Sequence, residues 1–366
     1  MTDHPSFLTI CPRPCADSKG TEGFTIIEML TAMAVLSLVA VLILSIMSQT
    51  GQAVRTSSDR VESFQSARAG FDALTRQLGQ ATLNTYYDYY NSSRQPRTAA
   101  NSGTFTPDKY GRQSDLHFIS GNNLVPAWPA VSQAVFFQTP MGYAINGNYS
   151  GMENLLNTCG FFVAYTSDDS ETPSSLGADV REQYRFRLFR MSQPTERLSV
   201  YSNPLAPKEW FQAPLAASAG APAVARQNGI YPIADNVVAI AIWPKLPPAQ
   251  EDYSASGNRL AYNYDYDSRT EWSSGSQPAQ MHQLPPLVEV AMVTIDEASA
   301  KRLLDGVTDP NAALSALGAS LTGKFQIATT AKIEEDLRAL ETSMAAKGVK
   351  CRIFRTTIPL RSSKWS

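Results

Sequence analysis

The longest hydrophobic run in the chain lies close to its N-terminus. From Met29 to Met47 the residues read MLTAMAVLSLVAVLILSIM, nineteen positions without a charge, a proline or a glycine. At about 1.5 Å rise per residue this segment makes a helix roughly 28 Å long, close to the bilayer hydrocarbon thickness of about 30 Å. A helix in a soluble core rarely stays uncharged on every face for five turns. The run is therefore expected to span a membrane. Past it, Val54, Val61, Phe64, Phe71, Leu74 and Leu78 recur at helical spacing on one face. No proline falls between Phe24 and Leu78. Residues 24–79 are thus expected to form one helix of about 80 Å, membrane-embedded over about 24–47 and packed by one stripe on a head formed by residues 80–366.

Beyond residue 80 the pattern changes to period two and short apolar runs. Strands are expected at Leu116–Ser120, Ala134–Gln138, Gly160–Thr166, Gln183–Met191, Asn236–Trp243, Leu287–Ile295 and Cys351–Pro359, most of them between Pro, Gly, Asn or Ser clusters. In Tyr184-Arg185-Phe186-Arg187-Leu188 the arginines alternate with apolar residues, as on a sheet with one wet face. Asn236–Trp243 and Leu287–Ile295 are apolar on both faces and read as central strands. A second helix is expected from about Ala331 to Lys347, with Ile333, Leu337, Leu340 and Met344 as its stripe and Glu334 four residues before Arg338. The stretches Asn203–Ala223, Pro244–Pro248 and Asp252–Gln277 read as surface loops. The expected fold class is α+β, an antiparallel sheet covered on one side by the long helix.

Composition adds limits. In 366 residues, 43% apolar content is enough for a sizeable core and excludes bulk disorder. Thirty-one basic against 33 acidic residues leave a net charge of -2, which supplies no basic field for a phosphate backbone, so no nucleic-acid partner is expected.

The residues in front of the apolar run carry the most information. They read Gly23-Phe24-Thr25-Ile26-Ile27-Glu28. A secretory signal peptide has its small-residue cleavage site after the apolar segment, whereas Gly23-Phe24 precedes it, and cutting there keeps the helix. Cleavage would give Phe24 a free, positively charged amine. Glu28 lies four residues on, the one acid in an otherwise apolar helix, where a buried carboxylate needs a partner. The amine can pair with it within one helix, or between neighbouring helices displaced along an axis.

This hexapeptide with its adjoining apolar helix resembles the N-terminal cleavage and methylation motif of type IV prepilins and type II secretion pseudopilins. The resemblance implies that a membrane prepilin peptidase cuts between Gly23 and Phe24 and methylates the Phe24 amine, and that Glu28 guides subunits into a filament. It also implies that residues 1–23 are a cytoplasmic leader, that the helix sits in the inner membrane as a single pass, and that the head is periplasmic, or extracellular in a filament. The leader is long for the family and not basic, with Arg13 and Lys19 against Asp3, Asp17 and Glu22. Since Arg55 and Arg60 flank the far end, orientation rests on the motif. Ala67–Leu74 and Leu284–Val290 look like minor pseudopilins of the J class. Asn154–Phe162, Arg185–Tyr201 and Ile242–Pro248 are closer to the Verru_Chthon cassette protein C family, which implies a prepilin-like protein and no known reaction.

The head offers few candidates for chemistry. Besides His4 in the leader there are only His117 and His282, with no metal-binding spacing, and no nucleophile elbow, dinucleotide turn or P-loop occurs. No enzymatic activity and no cofactor are expected. Asp265, Asp267 and Glu271 could offer oxygen ligands to Ca²⁺, but the EF-hand glycine and its terminal glutamate are missing, and a solvated acidic loop is the simpler reading. Cys11 and Cys15 fall in the leader; Cys159 and Cys351 are either one disulfide of an oxidising compartment or two buried thiols. Tyrosines cluster at 86, 87, 89 and 90 and at 262, 264 and 266, and suit either contact surfaces or packing. The expected function is that of a minor pilin or pseudopilin subunit, whose partners are the peptidase and other subunits. The alternatives are a membrane-anchored ligand-binding or adhesion protein that does not polymerise, and an anchored hydrolase.

Overall fold

A computed structural model describes residues 23, 25–168, 182–202, 206–248, 250 and 260–365. The protein is a mixed helix and sheet chain that divides into two compact units, Met1–Arg55 and Thr56–Ser366. The first helix, α1, runs over Ile26–Leu78. From Ile26 to Gln52 its side chains are exposed, and these residues form a span of 27 with mean hydropathy 2.6.

In the second unit the C-terminal turns of α1 bury Ala67, Phe71, Leu74 and Leu78. Only the last three members of the expected stripe are fully buried, since Val54 and Val61 remain more than half exposed. Gly70 permits close contact here: a Cβ at this position would stand 2.9 Å from Cβ of Ala234.

The strands are β1 (Tyr86–Tyr90), β2 (Lys109–Gln113), β3 (Ile119–Gly121), β4 (Ala130–Pro140), β5 (Leu156–Ser167), β6 (Tyr184–Gln193), β7 (Ile230–Asp235), β8 (Val237–Lys245), β9 (Tyr266–Asp267), β10 (Leu287–Ile295) and β11 (Cys351–Pro359). Every pairing among the described residues is antiparallel. One sheet has the order β7-β6-β5-β4-β3-β9, a second β11-β10-β8, and β1 with β2 makes a separate ribbon. The two larger sheets meet through side chains. Backbone N–H groups on β8 donate to β4, Ile240 to Ser132 Oγ at 3.2 Å and Ile242 to Gln133 Oε1 at 2.5 Å. This satisfies donors on an edge that would otherwise need a further strand.

Among the described residues five α-helices complete the head: α2 (Glu209–Ser218), α3 (Pro222–Gln227), α4 (Glu297–Leu304), α5 (Pro310–Leu317) and α6 (Thr330–Ala346). They divide the interior into two cores. The first gathers Phe71, Phe136, Phe162 and Phe211 around the six-stranded sheet, and the second gathers Trp243, Val293, Leu317 and Leu340 under α5 and α6. Both faces of β10 are apolar because Val288, Val290 and Met292 belong to the first core and Ala291, Val293 and Ile295 to the second. β10 is central in its sheet, whereas β8 stands at the hydrogen-bonded edge and is buried by β4 instead.

Several expectations change. The arginine face of β6 is not wet: Arg187 is buried and its Nε lies 3.2 Å from Asp235 Oδ1, while Arg185 Nη1 lies 2.6 Å from Glu297 Oε1 on α4. The segment Leu116–Phe118 is not part of a strand, because its N–H groups donate to side chains, among them His117 N to Gln138 Oε1 at 2.8 Å and Phe118 N to Ser268 Oγ at 2.9 Å. The proline-rich stretch after residue 203 holds α2, with Pro214 inside it, and Pro222 at the N-terminus of α3. Pro214 cannot donate to the Trp210 carbonyl one turn earlier, and the Ser199 hydroxyl, at 3.5 Å, takes that place. The stripe of α6 is buried as expected, and Glu334 pairs with Arg338 at 3.5 Å.

Candidate functional site at the start of the first helix

Gly23 is exposed, with nothing within 4 Å of the position a Cβ would take. Phe24 lies outside the described residues, as do residues 1–22. Thr25 and Glu28 close a reciprocal cap on α1. The Glu28 carboxylate accepts from the Thr25 backbone N–H at 2.9 Å and from its hydroxyl at 3.1 Å, and the Thr25 Oγ1 accepts from the Glu28 N–H at 3.3 Å. This is the threonine-x-x-glutamate capping box, which satisfies two of the helix's orphan donors and sets a carboxylate at the positive end of its dipole. The sequence signal for this cap is the threonine three residues before the glutamate, Thr25 before Glu28.

Glu28 is the only charged residue from Ile26 to Gln52. The hydroxyls in the span turn back onto the helix: Thr31 donates to the Glu28 carbonyl at 3.0 Å and Ser37 to the Ala34 carbonyl at 2.9 Å. A polar group in hydrocarbon has no water to bond, so internal partners of this kind let Thr and Ser sit in a membrane helix. Around them Leu30, Met33, Leu36, Leu38, Ile43 and Leu44 are each at least half exposed. Covering such a side chain is worth about 1.5–3 kcal/mol, and the span itself carries none of that cover within the chain. The segment is long and apolar enough to cross a membrane as a single pass.

In the head, Cys159 and Cys351 are both free thiols. Cys159 is buried on β5, its Sγ 3.3 Å from Gln77 Oε1, and burial pushes its pKa up to about 12. Cys351 opens β11 in the other core. The carboxylates considered for calcium are dispersed into separate bonds. Asp265 Oδ1 accepts from the Asn122 N–H at 3.0 Å, and Asp267 is taken by His117 at 2.7 Å and the Arg269 N–H at 2.8 Å. Among the described residues no three His, Cys, Asp or Glu side chains come together as a metal-holding group.

The first tyrosine cluster becomes β1. Tyr90 is fully buried and its hydroxyl donates to the Arg112 carbonyl at 2.6 Å, while Tyr87 stacks on Tyr110 of β2 at 5.6 Å, both more than half exposed. In the second cluster Tyr264 and Tyr266 are buried and only Tyr262 is exposed. The packing reading holds for Tyr90, Tyr264 and Tyr266, whereas Tyr86, Tyr87, Tyr89 and Tyr262 are exposed. A cavity of about 410 Å³ opens beside β6, walled by Trp128, Tyr165, Tyr184, Arg187, Phe189 and Arg226. No protein-family model matches the chain, and no curated protein matches it.

Proposed function

We propose that the chain is a prepilin-like subunit, cut between Gly23 and Phe24, methylated on the Phe24 amine and assembled through α1 as a minor component of a type II secretion or type IV pilus-like filament. In this reading the head of residues 80–366 adopts a pilin-like role outside the inner membrane, and the peptidase and neighbouring subunits are the partners. The observation that carries it is the order of three features: an exposed Gly23 directly before Phe24 in the sequence, a Glu28 that caps the helix one turn later, and a 27-residue apolar span whose surface is left uncovered. The span and its capping acid serve an anchor equally well; the Gly23-Phe24 pair directly in front of them is what the prepilin reading accounts for and an anchor alone does not.

Glu28→Val tests assembly. The variant is expected to be processed normally and to be missing from sheared or sedimented filaments. Its recruitment at the level of the unaltered chain would contradict the assembly role. The second reading, an anchored ligand-binding protein that never polymerises, is favoured by the aromatic cavity beside β6.

A further inference from the structure

His117 has no exposed surface, and both of its ring nitrogens are engaged. Nε2 lies 2.7 Å from Asp267 Oδ1 on β9. Nδ1 lies 2.9 Å from the Pro207 carbonyl oxygen and 2.9 Å from Trp210 Nε1 in the first turn of α2. These two neighbours make opposite demands. An indole N–H only donates and a carbonyl oxygen only accepts, whereas Nδ1 carries either a lone pair or a hydrogen.

In the neutral ring Nε2–H donates to Asp267 and the single lone pair of Nδ1 accepts from Trp210, so the Pro207 carbonyl beside it receives no hydrogen from His117. Uptake of one proton from solvent reverses this. Nδ1–H then donates to Pro207, Nε2–H keeps Asp267 as an ion pair, and the Trp210 N–H is left facing another donor. We propose that His117 is a proton-operated latch on α2, holding Trp210 when neutral and exchanging it for the Pro207 carbonyl when charged.

The surroundings set the direction. Burial disfavours the charged ring, and Arg269 and His282 lie on the same side; Asp267 opposes them, and Lys208, 3.8 Å from Asp267 Oδ2, draws on that carboxylate. The neutral, Trp210-holding form is thus the resting state near neutral pH, and acid drives the exchange. Trp210 is buried and meets His117 edge-on at 5.7 Å, and the adjacent Phe211 stacks on Phe136 at 4.3 Å. Releasing the indole therefore loosens the first turn of α2 against the six-stranded sheet.

The test uses the full-length chain in detergent with ¹⁵N-labelled histidine and tryptophan, the Trp210 indole signal being assigned by its loss in Trp210→Phe. As the pH falls, Nδ1 of His117 is expected to gain a proton below the ordinary histidine value, and the Trp210 indole signal to shift with the same midpoint while circular dichroism stays native. In His117→Gln the Trp210 signal is expected to ignore pH over that range. An indole signal that stays put while His117 titrates overturns the latch, as does a His117 that remains neutral until the whole chain unfolds. Should the glutamine variant fail to fold, the titration of the unaltered protein decides alone.

Discussion

The backbone N–H of Thr25 donates to the carboxylate of Glu28 at 2.9 Å, so the one acid of the apolar span is held by its own helix. Thr25→Ala removes the hydroxyl half of the box and is expected to fray the first turn, seen as faster amide exchange at Ile26 to Glu28 in detergent. Thr25→Ser keeps the hydroxyl and should exchange like the unaltered chain.

Gly160 on β5 sits directly across from Phe136 on β4. A Cβ at residue 160 would fall 2.1 Å from Phe136 Cδ1, and that ring is already stacked on Phe211 at 4.3 Å and cannot step aside. Gly160→Ala is expected to destabilise the head by about 1–3 kcal/mol, read from its denaturant midpoint, as overpacking of a full core does.

Glu289 is buried on β10 between two cations, Lys245 Nζ at 2.5 Å and the Arg355 guanidinium. Lys245 in turn lies over the Trp243 ring, 4.7 Å from its centre. Glu289→Leu would strip Lys245 of its carboxylate and leave Arg355 with Glu334 alone, 3.6 Å away. The expected cost is roughly 3–5 kcal/mol in the same unfolding measurement.

Acid weakens the head through its histidines. Burial, with Arg269 next, brings His282 down to about 4 from an ordinary 6.5. Between these values the unfolded chain binds more protons than the folded one, so unfolding free energy rises with pH across that window. Stability is therefore lost as the pH falls from about 6.5 towards about 4, and His117, shifted in the same direction by its burial, adds to the loss. Denaturant midpoints at pH 7 and pH 5 should differ, and His282→Gln should narrow the difference.

How much of this was legible in the sequence depended on where each signal resides. The limits of β10 and β11 matched the expected runs residue for residue, and α6 matched to within one, because turn residues bound an uninterrupted pattern on each side. The short helices α4 and α5 went unseen, as did α2, where Pro214 and its neighbours imitate a loop and the compensating Ser199 hydroxyl comes from outside the segment. The ribbon of β1 and β2 was hidden because tyrosines occupy both of its faces, which removes the alternation a strand normally shows. At the helix start the motif was fully written in consecutive residues. The His117 site was not, since Trp210 and Asp267 lie 93 and 150 positions further on and only the folded sheet brings them together.

The most direct measurement is the intact mass of the protein purified from the membrane of a cell that supplies a prepilin peptidase. The account predicts a chain beginning at Phe24, lacking residues 1–23 and carrying the added mass of one methyl group. A full-length, unmodified chain would contradict it.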